Sequence, residues 1–154
     1  MKKYMQLAVN EARKNLKSLD GGPFGACIVK KGRILAISRN TVLKNDATCH
    51  AETNAIREAS KKLKTYDLSG CEIYSTTEPC PMCFSAIHWA NIDKIIYGTK
   101  IADVKKLGFN ELVISNNQMK KLGKSKVKIV PGILLAECKQ LLSDWSKLDQ
   151  TLVY

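Results

Sequence analysis

The sequence predicts a three-layer α/β domain around a mixed, mostly five-stranded sheet, and three observations carry that expectation. Two short apolar runs, Ala26 to Val29 and Ile34 to Ser38, are joined through Lys30-Lys31-Gly32 as a hairpin. A strand, helix, strand succession between Glu72 and Gly98 calls for a right-handed parallel crossover. Helix-period segments stand at both ends of the chain.

The elements follow in order. Tyr4 to Leu19 carries Met5, Ala8, Val9, Ala12 and Leu16 at helical spacing, and Asp20-Gly21-Gly22-Pro23 breaks it. After the hairpin, a helix is predicted from Ala51 to Lys62, with Thr48 as its cap and Ile56, Ala59 and Leu63 as its apolar stripe. Glu72 to Thr76 reads as a strand feeding a helix that Pro81 opens and whose apolar face includes Phe84, Ile87 and Ala90. Lys94 to Gly98 is the next strand, Ile101 to Leu107 a short helix, and Val127 to Val130 a further strand. A final helix runs from Ile133, with Leu134, Cys138, Leu141, Leu142, Trp145 and Leu148 as its stripe. No internal repeat, linker or low-complexity segment interrupts the pattern, so one domain over residues 1–154 is expected.

Composition narrows the setting. A chain of 154 residues, 45% of them hydrophobic, can bury a sizeable core. The amino end is polar and lysine-rich and no apolar run approaches the length of a bilayer crossing, which predicts a cytoplasmic protein with no membrane partner. The net charge of +11 raises the question of a nucleic-acid partner. Its lysines, however, are scattered as pairs such as Lys30-Lys31 and Lys120-Lys121, and arginine is confined to Arg13, Arg33, Arg39 and Arg57. That distribution favours a solvated lysine-rich surface over an RNA groove. Cys27, Cys71 and Cys138 fall in apolar settings and read as buried free thiols, while Cys49 has no assigned role.

Two motifs carry chemistry: Cys49-His50-Ala51-Glu52, and then Glu78-Pro79-Cys80-Pro81-Met82-Cys83. A zinc ion that activates water is held by three protein ligands and keeps a fourth position open. His50, Cys80 and Cys83 supply three, and no second CxxC or HxxxH pair exists to close the shell. Glu52 is then free to accept a proton from zinc-activated water and pass it on, as a shuttle and not a ligand. Each motif alone has a blander reading: a lone CxxC can be a redox pair or half of a structural zinc site, and HxE arises by chance. Occurring together, each at the start of a helical pattern, they point to one Zn2+ per chain. Thiolate and imidazole donors favour zinc over harder metals.

In these motifs the chain resembles the zinc-dependent cytidine/deoxycytidylate-type nucleobase and nucleoside deaminases, whose signature pairs H-x-E with P-C-x-x-C. Gly22-Pro23-Phe24-Gly25-Ala26, Asn40, Asn45-Asp46, and Cys80 through Trp89-Ala90 look most like the bacterial guanine deaminase branch. The segment Gly132 to Cys138, through Leu141-Leu142-Ser143-Asp144, is more similar to the carboxyl-terminal helix of tRNA adenosine deaminases. The resemblance implies the α/β/α cytidine-deaminase-like fold and a homodimer.

It also implies substrate contacts. Asn40 would recognise a ring edge and Phe24 would lie beside the base, which suits a flat heterocycle that needs in-plane hydrogen bonds and a stacking face. Phe24 reads equally as a core aromatic, and Asn40 as a turn residue. Ala51 and Trp89 are included as substrate-binding positions, although Trp89 is equally a core residue. His88 reads as a packed or surface histidine. After Gly108-Phe109 the guanine branch carries an acidic pair whose second member assists catalysis; here the pair is Asn110-Glu111, so Glu111 keeps the charge with one more methylene. Tyr154 matches a terminal tyrosine that closes the active site in that branch, often a partner subunit's; the alternative is a frayed end.

The expected activity is hydrolytic deamination of an aminated nucleobase, guanine first, giving xanthine and ammonia. Wobble-adenosine deamination in tRNA, deamination of cytosine or another small heterocycle, and a non-enzymatic zinc-stabilised module are the alternatives.

Overall fold

The computed structural model describes residues 1–149 and 152–154. Its elements are α1 (Lys2–Arg13), α2 (Asn15–Ser18), β1 (Gly25–Lys30), β2 (Arg33–Arg39), α3 (Ala51–Leu63), β3 (Cys71–Thr77), α4 (Pro81–Trp89), β4 (Lys94–Thr99), α5 (Ile101–Lys105), α6 (Asn116–Leu122), β5 (Lys128–Val130) and α7 (Leu135–Ser146). The sheet order is β2-β1-β3-β4-β5. β1 pairs antiparallel with both β2 and β3, and β3, β4 and β5 run parallel, which is the mixed sheet that a hairpin followed by a crossover requires.

The two-residue period of the strands divides the core. Ala26, Ile28, Ile73 and Ile95 face Ala51, Ala55 and Ala59 of α3 and Phe84 and Ile87 of α4. Cys27, Val29, Tyr74 and Ile96 face Met5, Ala8 and Val9 of α1 and Cys138 of α7. Small alanines on α3 let that helix lie close to the sheet, and both faces are covered, as near-continuous apolar strands demand. A third cluster joins Val104, Phe109, Leu142 and Trp145, with Phe24 and Tyr154 packed against it. Among the described residues no helix is long and apolar enough to cross a membrane.

The structure departs from sequence expectation in four places. The first helix stops at Arg13 and resumes as the single turn α2, ending at Leu19 with φ of 54°. Asn15 explains the change: it is fully buried and donates its amide to the carbonyls of Gly22 and Asn40, both at 2.8 Å, so this turn is pinned to the loop and not to the helix axis. Thr48 does not cap α3. The cap is His50, extended at φ −67° and ψ 158°, whose carbonyl accepts the first helical bond from Asn54 at 2.9 Å. α6 stands where no element was expected, and α7 begins at Leu135, one residue past a left-handed Leu134. α6 is short and polar, yet Ser115 and Gln118 form a capping box, with Gln118 N–H to Ser115 Oγ at 3.3 Å and Ser115 N–H to Gln118 Oε1 at 2.9 Å.

Candidate active site

Two helix starts meet at the site. Cys80, like His50, is an extended cap residue (φ −62°, ψ 167°), and its carbonyl accepts from Phe84 N–H at 2.8 Å. Pro81 occupies the first turn of α4, where its missing N–H costs nothing. In both caps the main chain makes the helical bond and the side chain is left free to point off the helix end. Cys83 lies one turn further on and is fully buried. His50 Nδ1 is 3.6 Å from Cys80 Sγ, and the donor atoms of His50, Cys80 and Cys83 all lie within 4.8 Å of one another. Two thiols and one imidazole, converging with no fourth protein donor among the described residues, fit a zinc ion with an open position.

The electrostatics suit metal binding. A hydrogen bond from Cys83, followed by the His50 ring, brings the Cys80 thiol down to about 4 against the effect of burial. The same contact with Cys80, together with burial, holds Cys83 well above its ordinary value. Burial pulls His50 down, but Cys80 and the Glu52 carboxylate lift it further, and the net direction is up.

Glu52 sits in the first turn of α3 and is 6% exposed. Ser75 on β3 donates to its Oε1 at 2.8 Å, and Cys83 Sγ lies 3.4 Å from Oε2. Its oxygens are thus divided between the sheet and the donor cluster. Burial, with His50 opposing, raises its carboxyl above the usual range. An elevated carboxyl that can hold a proton next to a metal centre is equipped for general acid–base chemistry.

In front of these groups is a cavity of about 240 Å³, lined among others by Phe24, His50, Glu52, Cys80, Glu111 and Tyr154. Phe24 is both core and wall: it packs edge-on against Phe109, with ring centres 5.2 Å apart, and faces the cavity. Burial, then the Cys80 charge, with His50 opposing, pushes the Glu111 carboxyl up to about 7. Tyr154 stacks edge-on against Phe109 at 5.4 Å. Its hydroxyl donates to Asn40 Oδ1 at 2.6 Å and accepts from Gly22 N–H at 2.9 Å. Asn40 is fully buried, its Oδ1 also accepts from Val42 N–H at 3.1 Å, and its Nδ2 has no partner. A Cβ on Gly21 would stand 2.1 Å from Asn40 Oδ1, so only glycine fits beside it.

Ala51 is fully buried, with its methyl group in the core. Trp89 is not brought to the cavity. It closes α4, eight residues past Pro81 at the metal end and so about 12 Å along the axis, and is 79% exposed with its ring edge-on to His88. His88 is exposed at the surface, with Nδ1 3.2 Å from Ser125 Oγ. All six cysteines are free, and Cys49 turns to Asp46 Oδ2 at 3.5 Å and away from the donor cluster.

Three residues with no assigned role in the sequence reading support the site. Ser75 holds Glu52, Asn15 holds the main chain of Asn40, and Glu78, two residues before Cys80, is buried at the cavity wall. Arg39 extends the Asn15 support, donating Nε to Asn15 Oδ1 at 3.0 Å and pairing with Glu11 and Asp20 at 3.0 and 2.9 Å. Of the three, Glu78 alone had a sequence signal, the Glu-Pro that opens the cysteine motif.

The fold and the site together define a zinc-dependent enzyme that hydrolyses the C–N bond of an aminated ring. Residues 1–99 match the zinc-binding region of cytidine and deoxycytidylate deaminases, and the chain belongs to this family. A guanine deaminase of Bacillus subtilis is 43% identical over 112 residues, covering 72% of each chain. A tRNA-specific adenosine deaminase of Buchnera aphidicola is 36% identical over 126 residues, 81% of this chain and 80% of that one. Among solved structures, a guanine deaminase of Nitrosomonas europaea superposes with a TM-score of 0.87 at 29% identity, over 96% of this chain and 85% of the other.

Proposed function

We propose that this protein deaminates a free nucleobase, guanine foremost, converting guanine and water to xanthine and ammonia. The observation that carries the reading is Tyr154, which lines the cavity and whose hydroxyl is anchored to Gly22 and Asn40 at 2.9 and 2.6 Å. A tyrosine seated there, in the wall of a cavity of about 240 Å³, leaves room for a single heterocycle and obstructs the path of a polynucleotide strand that would have to thread past it. The 43% identity to a guanine deaminase supports the same choice.

His50, Cys80 and Cys83 would hold the metal. Bound zinc would polarise a water and lower its pKa to near 7, supplying the nucleophile. Glu52 takes the proton that this water gives up and delivers it to the ring nitrogen beside the amine-bearing carbon. It then carries the second proton of the water to the departing amine, so that ammonia leaves neutral and Glu52 ends as it began. Ser75 keeps Glu52 Oε1 fixed while Oε2 faces the reacting atoms. Phe24 offers the ring a face from the cavity wall; Asn40 is not among the residues that line the cavity, and its buried, unpartnered Nδ2 becomes an in-plane donor only when a bound ring reaches it. Glu111, raised to about 7, faces the cavity as acceptor for the amino edge of the substrate. The methyl of Ala51 is buried, which leaves its main chain for any substrate contact.

Ammonia release by the zinc-loaded protein, measured across guanine, guanosine, adenine, cytosine and a tRNA anticodon stem-loop, tests the reading. Turnover of guanine above the others is expected. Silence on guanine with turnover of another member would overturn the substrate choice, and silence on all would leave a zinc-stabilised module. Assembly as a homodimer belongs to the same reading and is read by sedimentation equilibrium.

A further inference from the structure

The segment that carries Glu111 has one buried anchor, Phe109, which is 2% exposed in the third core cluster, and beyond it turns its side chains largely outward. Leu112 and Val113 are 66% and 58% exposed, Asn110 is exposed, and the stretch from residue 106 to 115 contains no helix or strand. Past Phe109, its position is set by main-chain tethers. One is the bond from Asn110 N–H to the Tyr154 carbonyl at 2.9 Å. The other two lie at the helices that bracket it, and both end on one side chain.

Glu78 is 6% exposed, at the turn between β3 and α4, two residues before Cys80. Its Oε1 accepts from Asn116 N–H at 2.8 Å and its Oε2 from Ile101 N–H at 3.3 Å. Ile101 and Asn116 are the first residues of α5 and α6, so each carboxylate oxygen takes an N–H that the helix itself leaves unpaired. Asn116 adds a bond from its side-chain amide to the Pro79 carbonyl at 2.6 Å, and Glu78 N–H bonds the Thr99 carbonyl at 2.8 Å. The turn that presents Cys80 is thereby fastened at one point to Ile101 and Asn116, which bracket α5 and the Glu111 segment that follows it. Both carboxylate oxygens are used as acceptors. A glutamine of the same shape has one acceptor, and its NH2 would meet the other N–H head-on.

We propose that Glu78 is a positioning residue that holds Glu111 and the cavity wall in register with the metal-binding turn. The inference rests on the reading that Glu111 contacts the substrate, and the test separates the two. Glu78→Gln, Glu111→Gln and the double variant are compared for zinc content, for kcat and KM on the base turned over, and for amide hydrogen exchange. Glu78→Gln should keep its zinc, lose activity by at least about tenfold, and speed exchange over residues 101–116 while α4 stays protected. The double variant should be no worse than Glu111→Gln alone, because both substitutions act through one group. Multiplying losses, loss of zinc, or unchanged exchange over 101–116 would each overturn the proposal. A neutral Glu111→Gln would instead sink the reading of Glu111, while the exchange result still decides whether Glu78 holds the segment. Should Glu78→Gln not accumulate as folded protein, Glu78→Asp, too short to reach both amides, takes its place; and rapid exchange at the amides of Ile101 and Asn116 in the unaltered protein would contradict the proposal without any variant.

Discussion

Ser75 donates its hydroxyl to Glu52 Oε1 at 2.8 Å where neither side chain reaches bulk solvent, Ser75 being 1% and Glu52 6% exposed. The bond joins the middle of β3 to the first turn of α3, so the sheet itself orients the carboxylate that faces the donor cluster. A hydrogen bond to a charged group in such a setting is worth about 1.5–3 kcal/mol, and here it acts on direction as much as on stability.

Ser75→Ala should therefore lower kcat by about 10- to 100-fold with little change in KM, while zinc content stays at one per chain. Ser75→Thr, which restores a hydroxyl, should recover part of the loss. Steady-state kinetics alongside metal analysis checks both; an unchanged kcat in Ser75→Ala would remove the sheet from the account of Glu52.

Under the proposed function, Tyr154 serves substrate hold more than chemistry. Burial pushes its phenol up to about 12, so the hydroxyl stays protonated and can donate to Asn40 while accepting from Gly22. Tyr154→Phe removes both bonds and leaves the Gly22 N–H and Asn40 Oδ1 short of a partner. KM should rise by about tenfold with a smaller change in kcat, and a larger rise should follow deletion of residues 152–154.

The support beneath Asn40 should show in stability against pH. The hydrogen bond from Arg39, opposed by burial, holds the Asp20 carboxyl below its ordinary 3.8. A depressed folded pKa means that the contribution is complete above the unfolded value of about 3.9 and is lost as pH falls through the lower folded value. Asp20→Asn should accordingly be less stable than the parent near neutrality, and the gap should close as the pH drops below about 4. Urea unfolding at several pH values reads it, and a constant gap would contradict the role of the ion pair.

Legibility in the sequence followed the range of the interaction. Strand alternation at Ala26 to Val29 and the strand, helix, strand run are local patterns, and general rules of hairpin and crossover turn them into the observed sheet. The metal donors were legible because zinc chemistry restricts residue type and spacing so tightly that His50, Cys80 and Cys83 leave few alternatives. The supports were not. Ser75 and Glu52, Asn15 and Asn40, and Glu78 and Asn116 are more than twenty residues apart in each case, and serine, asparagine and glutamate are ordinary surface residues until the fold buries them. α6 escaped notice for a related reason: its few apolar residues give no periodic stripe, and its start is fixed by the Ser115 box and by Glu78. The helix cap at His50 is likewise set by the demand that its ring leave the helix toward Cys80.

The central claim is that a metal held by His50, Cys80 and Cys83 and a proton carried by Glu52 together replace an amine with water. Glu52→Ala separates these two parts, because Glu52 lies beside the donor set without belonging to it. Zinc should remain at one per chain while ammonia release from guanine falls by about 10²- to 10⁴-fold or more. A Glu52→Ala protein that keeps both its zinc and its turnover would contradict the account.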